Sequence, residues 1–354
     1  MGKTAIEWTD HSISPIRARN KATGKVFHFC EKVSPGCAHC YAESLALRFG
    51  LFEYQQRNRD KVEFFLDEAK LQEVLRRKKP TKYFWEDCSD LFGDWVPLEW
   101  IDKCLAVMAL TPQHTHQVLT KRPERMAEYF ADDDPQMSTC VRRRILNSID
   151  DEAMEQLGER VHGENLLLHD RLMQMEDEWP LTNVWLGTSV ENQEMADERI
   201  PHLLRTPAAV RFLSAEPLLS RVDLGLRNWA HIGERRDDCR LDWVIVGGES
   251  GAGARVCNLA DVRLIVEDCA AAGVPCFVKQ LGSRPHEETT ISAAELMFPN
   301  GVPAGAIVEG FSTTVRDNWL RDGKGGDPAE WPEDLRVRQM PVLSTEYAVP
   351  EEAS

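Results

Sequence analysis

The sequence predicts an α/β fold, a parallel (β/α) barrel that is partial or TIM-like and carries one helical insertion. Three observations lead there. Short β-prone apolar runs alternate with helical stretches between residues 82 and 280. Polar residues follow the apolar part of each run at the same place. A length of 354 residues is ample for one large domain of this kind.

In chain order, Lys3 to Asp10 is short and mixed, and Ile6 with Trp8 suits a first strand or an edge piece. Residues 15–29 hold Pro15, Gly24 and several basic residues, and are expected to be a loop leading into the cluster Cys30, Cys37 and Cys40. Tyr41 to Phe49 has apolar positions at helical spacing. Lys82 to Trp85 reads as a strand running into the polar Glu86 to Asp90, and Pro97 to Leu110 as an amphipathic helix with Trp100, Ile101, Leu105 and Met108 on one side. His116 to Thr120 is the next strand, with a helix from Pro123. Asn183 to Ser189, Val210 to Ser214, Asp242 to Val246 and Pro275 to Gln280 complete the strands. Helices are expected through Ile200 and Leu204, and from Asp261 to Ala272, the latter stopped by Gly273.

The barrel is therefore assigned to residues 1–285, a charged helical insertion to 131–180, and a C-terminal extension to 286–354. The polar pairs Ser89 and Asp90, Thr120 and Lys121, Thr188 and Ser189, Ser214 and Glu216, Glu249 and Ser250, Lys279 and Gln280 all end strands. In a parallel barrel those ends share one mouth, where such folds place their active sites. Each alone is as readily a loop residue or a helix cap; six in register point to a site.

Composition limits the function classes. Hydrophobic residues make up 42% and charged residues 28%, as in a water-soluble globular chain, and no apolar run approaches the ~20 residues needed to cross a bilayer. The N-terminal residues lack the apolar core of a signal peptide, so no membrane association is expected and the expected address is the cytoplasm. A net charge of −16 opposes broad binding to nucleic acid. A local basic stretch, Arg17, Arg19, Lys21 and Lys25, together with Phe27 and Phe29, nevertheless offers a candidate nucleic-acid strip beside the cysteines.

Ten cysteines are present, and three fall within residues 30–41 with a turn-forming Ser34-Pro-Gly36 between them. Such a trio in a reducing compartment favours a soft metal over disulfides. Cys88, Cys104, Cys140, Cys239, Cys257, Cys269 and Cys276 are scattered and are expected to be small buried hydrophobes. A closed zinc site would recruit His28 or His39 as a fourth ligand; a three-cysteine iron–sulfur cluster leaves one iron open.

A three-cysteine loop after the first strand of a (β/α) barrel resembles the radical S-adenosylmethionine superfamily. The resemblance implies a [4Fe–4S] cluster on Cys30, Cys37 and Cys40 and S-adenosyl-L-methionine bound to its open iron. It also implies an electron donor protein as partner and a 5′-deoxyadenosyl radical that abstracts hydrogen from substrate. His39 stands where that superfamily has an aromatic residue before the third cysteine. The spacing departs from the usual three and two intervening residues: here the gaps are six and two.

A resemblance covering more of the chain is carried by Val33-Ser-Pro-Gly-Cys-Ala-His-Cys-Tyr-Ala42, Ser89-Asp-Leu-Phe92, Val118-Leu-Thr-Lys-Arg-Pro123, Leu186-Gly-Thr-Ser-Val-Glu-Asn192, Ser214-Ala-Glu-Pro-Leu218 and Val246-Gly-Gly-Glu-Ser-Gly251. These blocks are similar to the signatures of a bacteriophage and prophage three-cysteine-motif family of unassigned activity. By that resemblance Gly247, Gly248 and Glu249 approach the methionine or ribose part of the cofactor, glycine permitting close contact, and Thr188, Ser189, Glu191 and Asn192 bond ribose hydroxyls. The phage setting makes a nucleotide or nucleic acid the first substrate expectation. A zinc-stapled barrel and a non-catalytic phage nucleic-acid accessory protein are the alternatives.

Overall fold

The computed structural model describes residues 2–4, 6–131, 144, 145, 148, 180–226, 240–292, 311–317 and 319–341. The insertion expected at 131–180 lies almost wholly outside them, as do Cys140 and Cys239.

Seven parallel strands form the scaffold: β2 (His11–Ile13), β6 (Lys82–Trp85), β7 (Thr115–Thr120), β8 (Val184–Ser189), β9 (Val210–Ala215), β10 (Trp243–Gly247) and β12 (Cys276–Gln280), hydrogen-bonded in that order. The edge strand β1 (Gly2–Lys3) adds antiparallel to β2. Helices α3 (Leu98–Ala109), α4 (Pro123–Ala131), α5 (Gln193–Arg205) and α6 (Leu259–Ala272) fall between successive strands. Each is apolar on the face it buries: Ile101, Cys104, Leu105 and Met108 of α3 follow the i, i+3, i+4, i+7 pattern and are buried. Asn192 caps α5 by accepting the amide of Met195, and Gly273 ends α6 in the left-handed conformation at φ 68°.

Successive strand residues face opposite cores. Val244 and Val246 join the large core under the helices, whereas Trp243 and Ile245 join an inner cluster with Trp8, Phe84, Trp185, Phe212 and Phe277. Gly187 is required here, since a Cβ on it would lie 2.7 Å from the Phe212 ring. The inner cluster shows that the sheet curls. In a flat sheet β2 and β10 would be about 24 Å apart, five strand spacings. The rings of Trp8, just before β2, and Trp243 are 6.0 Å apart. The result is a half-barrel, with no strand pair joining β2 to β12 among the described residues. The expected parallel barrel is thus present as a partial one.

Near β12, residues 337–340 run along the outer edge. Val337 and Gln339 exchange backbone hydrogen bonds with Val278 and Cys276, and Arg338 pairs with Glu7 at 3.0 Å. Trp243 Nε1 donates to the Gln339 carbonyl at 2.9 Å. This part of the C-terminal extension therefore buttresses the open side. Elsewhere the extension forms β13 (Pro285–Ser292) and β14 (Phe311–Asp317), antiparallel to each other, with β11 (Cys257–Asn258) beside β13.

Two expectations are corrected. Residues 15–29 are not a plain loop: β3 (Ile16–Asn20), β4 (Val26–Phe27) and β5 (Val62–Leu66) make an antiparallel sheet. The candidate strip is also altered, since three of its four basic residues have partners and its two aromatics are buried. Arg19 pairs with Glu63 at 3.1 Å, Arg17 lies 3.8 Å from Asp67, and Lys21 donates to the Asp60 carbonyl. Phe27 and Phe29 are buried and have no face for a base.

Trp243 touches Trp8, Trp185, Phe212 and Phe277 with ring separations of 5.8–6.2 Å. Trp243→Ala is expected to cost about 3–5 kcal/mol of stability in urea unfolding. A loss under about 1 kcal/mol would show that this layer does not hold the curl.

Candidate active site

The C-terminal strand ends surround a cavity of about 290 Å³. Each of the six polar pairs contributes to its wall, and of the twelve residues only Thr188 does not. Cys30, Cys37 and Cys40 line the same cavity as free, half-buried thiols, directly before α1 (Tyr41–Arg48).

The cysteine loop is fixed to the strand ends by buried charges. Glu191, after β8, is fully buried; its Oε1 accepts the Gly36 amide at 2.9 Å and its Oε2 is 3.2 Å from Arg199. Glu249, after β10, binds Arg255 through both carboxylate oxygens, at 2.6 Å and 3.0 Å, and accepts the Arg255 amide. Arg255 in turn donates to the Pro35 carbonyl at 2.8 Å, and Glu249 Oε2 sits 2.9 Å from His39 Nδ1. Asp90, after β6, accepts from Thr120 and Arg122, and Arg122 reaches the Glu31 carbonyl at 3.3 Å. Ser89 donates to the Phe29 carbonyl.

These contacts give several expected cofactor residues another task. Glu191 and Glu249 hold the loop, Asn192 caps α5, and Thr188, fully buried, donates to the Thr120 carbonyl across β7 and β8. Gly247 has no room for a side chain, since a Cβ there would be 2.7 Å from Glu216 Oε1. Ser189, Gly248 and His39 do line the cavity.

Cys88 was expected to be an isolated core thiol, but it lines the cavity and packs with Cys30 and Cys40 against one aromatic cluster. Cys104, Cys257, Cys269 and Cys276 are buried as expected. Glu86 is a second residue that the sequence does not flag. It ends β6 with φ 59° and is buried; Oε1 accepts the Ile16 amide, and Oε2 has no partner among the described residues. Its only sequence signal is the sharp turn out of an apolar strand into Glu-Asp-Cys-Ser.

Burial sets the charge states. It pushes the Cys30 thiol upward, with Asp90 adding to this and Arg122 opposing it, and it raises Cys40 and Cys88 as well. Burial also pushes the Glu86 carboxyl well above the ordinary glutamate range, opposed by the Ile16 amide. For Glu249, burial favours the neutral acid, but hydrogen bonds from Arg255 and then His39 outweigh it and bring the group down to about 2. A nearby cation would offset this effect of burial on Cys30, Cys40 and Cys88.

Among the described residues, no three His, Cys, Asp or Glu side chains converge closely enough for a single ion, whose tetrahedral thiolates would stand about 3.8 Å apart. His28, the other proposed zinc ligand, is half-buried, and desolvation and then Arg17 lower it to about 4. A cubane cluster puts each cysteine on a different iron and so suits sulfurs spread around one cavity.

The family model described as protein of unknown function (DUF5131) matches residues 3–322, and the chain belongs to that family. No curated protein matches the chain, and neither does any solved structure.

Glu249 titrates below the ordinary 4.5 of a glutamate, so its ion pair stabilises the folded state fully above about pH 4.5 and progressively less as pH falls toward 2. Wild type should therefore exceed Glu249→Gln in urea stability by on the order of 3 kcal/mol at pH 7, with the margin narrowing between pH 4.5 and 3. A pH-independent margin would show that the carboxylate charge does not hold the loop.

Proposed function

We propose that the protein is an iron–sulfur, radical S-adenosylmethionine enzyme whose substrate enters the mouth of the half-barrel. One observation carries this reading: a loop with three cysteines is clamped by strand-end carboxylates over a cavity walled by polar strand ends. A structural metal needs no such cavity. Cys30, Cys37 and Cys40 would hold a [4Fe–4S] cluster, which when bound would supply the electron that reduces S-adenosyl-L-methionine.

The chain's own residues do the remaining work. Glu191 and the Glu249–Arg255 pair fix the loop backbone at Gly36 and Pro35, so the thiols face the cavity in one arrangement. The aromatic floor, including Trp8 and Phe84, keeps water from the reacting region. Polar wall residues orient what binds. An electron donor protein is the partner this chemistry requires. No helix among the described residues is long and apolar enough to cross a membrane.

Anaerobically purified protein should carry roughly four irons per chain and a broad brown absorbance, and should form 5′-deoxyadenosine with reductant and S-adenosyl-L-methionine. Cys37→Ala should abolish iron loading, whereas Cys88→Ala should leave it intact. Loss of iron in Cys88→Ala would mark a closed four-cysteine site, and one zinc per colourless chain would exclude the proposal.

A further inference from the structure

The ends of β9 and β12 place an incompletely satisfied charge pair in the cavity wall. Glu216 Oε1 lies 3.2 Å from Lys279 Nζ. That oxygen is buried and has no well-formed hydrogen bond among the described residues. The other oxygen accepts from Ser214 at 3.3 Å and, at 3.4 Å, from Lys279. The ammonium carries three donors, and the Glu216 carboxylate is the one acceptor it meets among the described residues. The arrangement is built rather than incidental, because the missing side chain at Gly247 leaves the space that Glu216 Oε1 fills.

The pair is half-buried and faces the cavity, so its unused donors and its buried carboxylate oxygen are open to a ligand that takes the place of water. The pair presents an acceptor beside a donor, and Phe84, Leu119 and Trp8 line the same cavity with apolar surface. An anion would meet Glu216 and a cation Lys279, so the ligand that satisfies both is neutral. It carries an N–H next to a carbonyl on a flat ring. We infer that this corner binds the lactam edge of a nucleobase, uracil, thymine or guanine, with the ring N–H on Glu216 and the carbonyl on Lys279. Cytosine and adenine lack a ring N–H beside a carbonyl and fit poorly. The inference rests on the mouth being a substrate chamber and names the class of substrate; its test needs no cluster.

Equilibrium dialysis of the full-length protein with uridine, guanosine, 3-methyluridine, 1-methylguanosine and cytidine tests it. Uridine or guanosine should bind, and its N-methylated form and cytidine should bind about tenfold more weakly or worse. Glu216→Leu/Lys279→Met, which removes both charges and leaves neither buried alone, should lose binding by a similar factor while keeping the wild-type unfolding midpoint and iron content. Equal binding of the methylated nucleosides, or no binding of uridine and guanosine, overturns the inference. Iron content measured on the same samples reports separately on the cysteine loop, so a failure here is distinguishable from a failure of the cluster assignment.

Discussion

Glu249 makes four hydrogen bonds inside the barrel mouth, three from Arg255 and one with His39, and through Arg255 it holds the Pro35 carbonyl. With Glu191 on the neighbouring amide of Gly36, it turns a flexible cysteine loop into a fixed wall. A buried carboxylate is tolerable only when its charge is met, and both are met by arginines, Arg255 and Arg199. The arginines are held by the same fold that they support: Arg199 also donates to the Ser189 carbonyl. The geometry of the candidate site thus follows from two carboxylates at the ends of β8 and β10, which makes the half-barrel and the loop one unit.

The half-barrel divides labour between its two faces. Its outer residues pack under helices, and its inner residues form an aromatic layer below the polar mouth. Because the sheet does not close on itself, this layer needs covering from the open side. Residues 337–340 provide that cover, with Arg338 stacking over Phe277 and Trp331 at 5.3 Å and 5.2 Å. The C-terminal segment is therefore part of the barrel's support, although the alternating strand and helix pattern ends well before it.

The strands and helices of the barrel were legible because their signals are local. Val244 to Gly247 is apolar along its length, Val210 to Ala215 is carried by Val210, Phe212 and Leu213, and α3 and α6 show helical spacing with a clear stop. Residues 15–29 read as a loop in the sequence because the partners of Arg17 and Arg19, Asp67 and Glu63, lie more than forty positions away. The mouth could be located, since six polar strand ends were in register. The roles within it could not. Glu191 reads as a ribose ligand until its partner at Gly36, 155 positions distant, is known. Cys88 reads as an isolated thiol until β6 is laid beside the cysteine loop. Sequence spacing names residues that converge along the chain, whereas these meet only through the curl of the sheet.

The same contacts explain the long gap between Cys30 and Cys37. A gap of three residues would suffice to bring two thiols together. Here there are six, and four of them are anchored. Glu31 makes a bidentate pair with Arg59 at 2.7 Å, and its carbonyl accepts from Arg122. The Lys32 amide donates to Tyr54, and its ammonium pairs with Glu43 at 2.6 Å. Pro35 and Gly36 meet Arg255 and Glu191. The added length lets the loop reach across the mouth to β8 and β10 instead of resting on its own helix. The unusual spacing is then a consequence of how the loop is held.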